Sequence, residues 1–554
     1  MNGWLLATVV IVVLVALHVP LGDYMARAYT GLRHWPAEKA VYRFCGIDPE
    51  AEQRWPHYLR SLLAFSAAGV LLLYGILRLQ PALPLSLGHP AFAPAAAFNT
   101  AVSFTTNTSW QSYAGESAMG HLALAAGLGV QAFASAAVGM AVAVALIRGL
   151  VRGGTDLVGN FWVDLVRSIT RVLLPLAVVF AVVLVGLGVV QNLDGVHVTA
   201  TTLAGGRQRF PGGPVGSWES IKLLSGDGGG FFNASSAHPF ENPTLVSNLI
   251  EITLMPLIPA GFIRMYGRLV GDRRQGWTLL AVVGVLFSLL LAGVSVEETV
   301  HGGTVPSAAG AAMEGKETRF GVPGSAPFAV AATATADGAA NSGYDSFTSL
   351  GGGVLMFAMM LGEISPGGCG SGLYGLLIIS LVAVFVGGLM VGRTPEYLGK
   401  RIGAREIKMA VLYQISTPAV VLAGSAVAIG SSAGRTAMGN TGAHGLSEVV
   451  YAFTSSASGN GSAFAGLNGG TTFYDIALAI VMLLGRYLPI VFVVALAGSL
   501  AGQRPVPATS GTLPTHGPIF ALMTLGTALI VSGLSYLPVL SLGPLADGLH
   551  RTLG

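Results

Sequence analysis

Ser225–Pro243 reads SGDGGGFFNASSAHPFENP and lies between two long apolar runs. Its three consecutive glycines, Gly228, Gly229 and Gly230, open backbone conformations closed to other residues and leave the carbonyls unscreened by side chains. Just before it, about Gly216–Leu224 has the length and composition of a half-membrane helix. A short helix followed by bare carbonyls inside an apolar chain is the construction of an ion filter.

The composition surrounds this stretch with membrane. The 554 residues are 52% apolar and 10% charged, whereas soluble domains carry about 25% charged residues. Mean hydropathy is +0.67. The net charge of +3 is small and sits mostly in loops, which argues against nucleic acid as a partner. Cys45 and Cys369 are the two cysteines, and the charge pattern assigns them to opposite sides of the bilayer, so no disulfide is expected between them. Leu5–Val19 lacks a basic flank and an evident cleavage site, and reads as a retained helix rather than a signal peptide.

A spanning helix needs about 20 mainly apolar residues. Ten segments qualify: 3–22, 58–79, 119–150, 160–191, 243–270, 276–297, 373–392, 405–430, 472–500 and 516–540. Most of the 29 Lys and Arg fall in the connections after the odd-numbered segments. The positive-inside rule makes those connections cytoplasmic and turns both termini outward.

The four remaining outer segments look alike. Each offers a short apolar helix, then a polar cluster, then a spanning helix: TTNTSWQSYAGE (Thr105–Glu116), SGDGGGFFN (Ser225–Asn233), SPGGCGSGLYG (Ser365–Gly375) and SSASGNGSAFAG (Ser455–Gly466). The fold class expected is therefore an all-α polytopic membrane protein of ten spanning helices. Four pseudo-repeats of helix, pore loop and helix cover 58–150, 151–270, 271–400 and 401–504. One helix is added at each end, in 1–57 and 505–554. The Ala/Gly/Ser/Thr-rich insertion 301–347 in the third repeat is expected to form an ordered outer cap. Any one cluster reads equally well as an ordinary turn. Four in matching positions do not.

Such loops suit a dehydrated potassium ion, whose lost water must be replaced by oxygen ligands without fixed charge. Non-helical backbone at membrane depth is tolerated where it lines a cavity or is buried in protein. Half-helices aiming their carbonyl ends inward add partial negative charge at the centre.

TNTSWQSYAGE, GGGFFNASSAHPFENP, GEISPGGCGSGLYG, GRTPEYLGKRI and NGSAFAGL closely resemble the potassium-binding A subunit family, KdpA, of the bacterial Kdp potassium-transporting P-type ATPase. The resemblance runs from the first helix to the tenth in the same motif order. It implies the fold of the potassium transporter and channel superfamily, location in the bacterial inner membrane, and K+ as transported ligand with no covalent cofactor. It also implies passage of external K+ through an intramembrane tunnel to an ATP-hydrolysing B subunit, with C and F subunits and membrane lipid as further partners. The implied filter residues are Thr106, Asn107, Thr108 and Gln111; Asp227, Gly228 and Gly229; Gly368, Cys369 and Gly370; and Asn460 and Gly461. This sequence has Asp227, Ser109 and Gly459 where the family commonly has Asn. An ionised Asp227 strengthens cation attraction, and a protonated one imitates Asn.

Arg486, in MLLGRYLPI, is read as the basic residue deep within a spanning segment. Ionisable residues there are costly and default to function. The resemblance puts it below the filter, where it obstructs straight passage and favours the sideways tunnel. Gly387 and Gly388 are candidates for a helix break forming a gating loop, with close helix packing as the competing reading. Gly461–Ser462 resembles an intramembrane serine protease motif, but no histidine follows at suitable depth to act as its base. The chain holds no G-x-x-x-x-G-K-[ST] phosphate loop and no DKTG phosphorylation motif. The expectation is thus a non-catalytic ion-binding subunit powered by a partner. The alternative is a stand-alone Trk/Ktr-like transporter or channel driven by the ion gradient.

Overall fold

Backbone polar groups in hydrocarbon must pair within their own segment, so an apolar chain crosses a bilayer as helices. The computed structural model describes residues 3–200, 207–300, 311–362, 364–507 and 512–553. Among these, ten helices are long and apolar enough to span a membrane, from Gly3–Thr30 to Pro518–Leu549. Each overlaps one of the ten expected segments.

Four shorter helices sit between spans: Pro94–Thr105, Val215–Ser225, Gly321–Ala334 and Gly442–Ser458, of 12, 11, 14 and 17 residues. At about 1.5 Å per residue none reaches across a hydrocarbon core of about 30 Å. Each is preceded by one spanning helix and followed by another, which gives the fourfold repeat.

In the first two repeats the partners differ in burial. The helices before the short ones, Trp55–Ala82 and Phe161–Gly186, are only 22% and 28% buried along their most apolar window, and Val178, Val179 and Val182 present an apolar face suited to lipid. Those after, Ala123–Val151 and Leu245–Leu269, are 89% and 83% buried along their most apolar window. A chemically uniform apolar helix thus becomes inner or outer according to where the short helix places it. On the side away from the short helices, Arg148 donates twice to Asp164 at 2.5 and 2.8 Å, and Tyr58 donates to the same carboxylate at 3.0 Å. This ties the first repeat to the second.

Two expectations are corrected. The segment 301–347 is not an outer cap. Residues 301–310 lie outside those described, but the rest contains the third short helix, Gly321–Ala334, whose Gly324–Ala334 stretch is wholly buried. Its alanines look like linker composition, yet small residues are what a helix wedged among others requires.

Nor do Gly387 and Gly388 break their helix. Ser371–Met390 is continuous through both, and Gly388 lies against Arg393 and Pro395 near its end. The interruption falls earlier, between Ser349–Met360 and Ser371–Met390. There Pro366 lacks an N–H, and Gly362, Gly367 and Gly370 take positive φ of 79°, 84° and 90°.

Candidate functional site: a ring of four loops

All four short helices end in the same way. The helix is followed by a residue in left-handed conformation: Asn107 (φ 61°), Gly226 (62°), Ala336 (56°) or Gly459 (85°). The next residue then returns its N–H five positions, Thr108 to the carbonyl of Ser103, Asp227 to Lys222, Asp337 to Ala332 and Asn460 to Ser455. Their lengths are 3.0, 3.2, 3.2 and 2.9 Å. This reversal closes a helix through its last free carbonyls and turns the chain sharply away from the axis. It sets the register of the four loops against one another: Thr108, Asp227, Asp337 and Asn460 are equivalent.

The loops then meet edge to edge. Asn107 Nδ2 donates to the Gly226 carbonyl at 2.8 Å, joining loops one and two. Gly228 lies so close to the Gly338 backbone that a methyl group there would overlap it, joining two and three. A methyl group on Gly338 would come within 2.7 Å of the Asn460 carbonyl, and one on Gly461 would overlap the Thr108 carbonyl. The ring therefore closes through loops three, four and one. Gln111 braces it from the side, accepting from Gly230 N at 2.8 Å.

Its polar atoms are buried, and several lack partners. Thr106, Asn107, Thr108, Ser109, Asp227, Asp337 and Asn460 are all shielded from solvent. Asp337 Oδ2 has no hydrogen-bond partner, and the Asp227 carboxyl has only the Ser109 hydroxyl beside it. Buried oxygens of this kind are costly unless a cation or proton joins them. Four helix C-termini pointing partial negative charge at one place favour a cation there.

The third loop of the sequence reading is corrected. Gly368, Cys369 and Gly370 belong to the interruption at Leu361–Gly370, eight to ten residues beyond the end of the short helix Ser349–Met360 rather than directly at a helix end. Thr335–Gly338 holds the third place in the ring. The misplaced residues nevertheless lie beside it. Cys369 Sγ donates to the Leu224 carbonyl at 3.2 Å, and its own carbonyl packs on Gly139. Arg486 reaches the same spot, donating to the Ser135 carbonyl at 3.1 Å and lying against Gly139. Cys369, Gly139 and Arg486 thus meet beside the ring. To one side a cavity opens, lined by Gly362, Ser371, Tyr374, Ser458, Arg486 and Tyr536, from the third and fourth repeats and the last spanning helix. Cys45 and Cys369 are both free.

The family model for the potassium-transporting ATPase A subunit, KdpA, matches residues 8–549. This chain belongs to the KdpA family. It is 57% identical over 547 residues to the potassium-transporting ATPase potassium-binding subunit of Kineococcus radiotolerans, covering 99% of this chain and 98% of that one. To the subunit of the same name from Clavibacter michiganensis subsp. michiganensis it is 55% identical, covering 99% of each. Among solved structures, the potassium transporter TrkH from Vibrio parahaemolyticus superposes with a TM-score of 0.54 at 14% identity, covering 87% of this chain and 96% of that one. At that identity the likeness is one of fold.

Sequence reasoning missed Thr335, Asp337 and Gly338 in this KdpA-family chain, although a signal was present. An acid or amide followed by glycine recurs in SGDG (Ser225–Gly228), TADG (Thr335–Gly338) and SGNG (Ser458–Gly461). It also missed Lys222, which lies fully buried in the second short helix with Glu219 and Glu241.

Proposed function

We propose that this chain is the potassium-selecting and translocating subunit of an ATP-driven Kdp uptake complex in the bacterial inner membrane, with both termini outside. The observation that carries the reading is the closed ring of four loops, each hung from the carbonyl end of a buried half-helix. A potassium ion entering the ring exchanges water for backbone carbonyls and the hydroxyl, amide and carboxyl oxygens of Thr108, Asp227, Asp337 and Asn460. The filter is Thr106–Ser109, Gly226–Gly229, Thr335–Gly338 and Gly459–Gly461, with Gln111 as a brace.

Below it, the floor of Gly139, Cys369 and Arg486 opposes straight passage. The side cavity between the third and fourth repeats supplies the start of a lateral tunnel toward an ATP-hydrolysing B subunit, with C and F subunits completing the assembly. Energy comes from that partner, because this chain has no nucleotide-binding motif. A gradient-driven transporter is the competing reading, favoured by the fold shared with TrkH. Identity of 57% over nearly the whole chain to a named ATPase subunit, against 14% to TrkH, weighs for the pump.

The test is potassium-stimulated ATP hydrolysis by this chain alone and co-purified with a P-type ATPase subunit. Activity is expected in the complex only, with K+ activation weakened by Gly228→Asp. A chain that passes potassium in liposomes without ATP would overturn the reading. Arg486→Ala is expected to alter transport while leaving assembly intact.

A further inference from the structure

Behind the second loop lies an ion cluster sealed from solvent. Lys222 Nζ is 2.8 Å from Glu219 Oε2 and 2.8 Å from Glu241 Oε2. It is also 3.3 Å from Ser235 Oγ and 3.2 Å from Ser236 Oγ. Glu241 Oε1 accepts the N–H of Phe232 at 2.7 Å, and Ser236 donates to Glu219 Oε1 at 2.8 Å. Buried ion pairs are poor sources of net stability, because desolvation offsets much of their attraction. The cluster calls for another reason to exist.

Ser235 connects it to the ring. Its hydroxyl donates to the Gly229 carbonyl at 3.0 Å and accepts from Lys222 Nζ and from Ala340 N, both at 3.3 Å. One donor and two acceptor sites are the whole capacity of a hydroxyl, and all three are used. Ser235 also stands at φ 49°, a left-handed conformation disfavoured for a residue with a Cβ. Lys222 holds the same loop at its other end, since its carbonyl accepts from Asp227 N and Gly228 N.

We propose that Ser235, seated on the Lys222 ammonium, is a positioning residue that sets ion specificity. It pins the Gly229 carbonyl and couples loop two to loop three through Ala340. A donor that itself accepts from an ammonium is a stronger donor, so the pinned carbonyl resists moving to suit an ion of different radius. The inference rests on reading the four loops as the potassium site.

The experiment is ATP hydrolysis by the assembled complex titrated separately with K+ and Rb+. Ser235→Ala is expected to weaken half-activation by K+ about threefold to tenfold, the worth of one hydrogen bond. The Rb+/K+ ratio of half-activating concentrations is expected to fall toward one. Ser235→Gly removes the same hydroxyl from a backbone that suits glycine, and gives the same result if assembly of the alanine variant is poor. Ser235→Asn tolerates the left-handed backbone, retains a donor and restores the ratio. Ser236→Ala touches the same ammonium but not the loop carbonyl, and leaves the ratio unchanged.

An unchanged ratio in both hydroxyl-free Ser235 variants, or an equal change in Ser236→Ala, would overturn the proposal. Failure of the underlying filter reading looks different: Gly228→Asp would then leave activation by both ions intact.

Discussion

The loop Gly226–Gly230 and the interruption Leu361–Gly370 are both rich in glycine, and Gly226 faces the backbone of Cys369 across a narrow space. One closes a ring of oxygens; the other lies against it as the proposed floor. Meanwhile the ring's third member, Thr335–Gly338, follows an alanine-rich helix. What the ring members share is a left-handed cap after a short buried helix, with an N–H returned five residues. Glycine content does not separate ring from floor. The distance from the preceding helix does: Gly226 follows Val215–Ser225 directly, so that helix delivers its carbonyl end to the loop, whereas Gly368–Gly370 lies eight to ten residues past Ser349–Met360 and runs straight into Ser371–Met390.

Substitutions test that distinction, beginning with the most damaging. Gly461→Ala puts a methyl group onto the Thr108 carbonyl at a φ of 91°. It should weaken K+ activation of ATP hydrolysis more than about a hundredfold, or about 2.8 kcal/mol. Ala336→Val comes next. A β-branched residue suits the left-handed region poorly, so K+ activation should weaken by about tenfold if Thr335–Gly338 belongs to the ring. An unaffected valine variant would return the third place to the interruption. Ala336→Gly should go the other way, relieving left-handed strain and stabilising the complex by about 1 kcal/mol in thermal unfolding. Cys369→Ala, on the floor, should shift half-activation by K+ less than about threefold, because a thiol is a weak donor.

The smallest effect concerns the fourth loop's outer support. His444, at the start of the fourth short helix, bonds Asp345 at 2.9 Å and Asp547 at 3.0 Å. The bond to Asp345 and then that to Asp547 outweigh burial and push its pKa up to about 9 from an ordinary 6.5. Stabilisation from this raised pKa is fully present below pH about 6.5 and is lost as pH rises through about 9. Protection against hydrogen exchange in the helix Ala546–Leu553, taken relative to the intrinsic exchange rate at each pH, should therefore fall between pH 7 and 10. His444→Gln should remove that dependence, and an unchanged pH profile in the variant would exclude the clamp.

Several features could be read without coordinates because they depend on local composition. Ten apolar runs dictate ten helices when the solvent is hydrocarbon. The half-helix before SGDGGG, expected near Gly216–Leu224, forms as Val215–Ser225. Asn107, Asp227 and Asn460 fall in three of the four loops of the ring. Tertiary structure decided the rest. SPGGCG and SGDGGG differ little in backbone freedom, so only the packing of the preceding helix could assign one to the floor and the other to the ring. Gly387 and Gly388 permit a break but do not require one, and an intact helix keeps its hydrogen bonds. The partners of Lys222 were likewise decided by tertiary structure. Glu219 lies three residues away on the same helix, but Glu241 and Ser235 reach the ammonium only after the chain has turned back on itself.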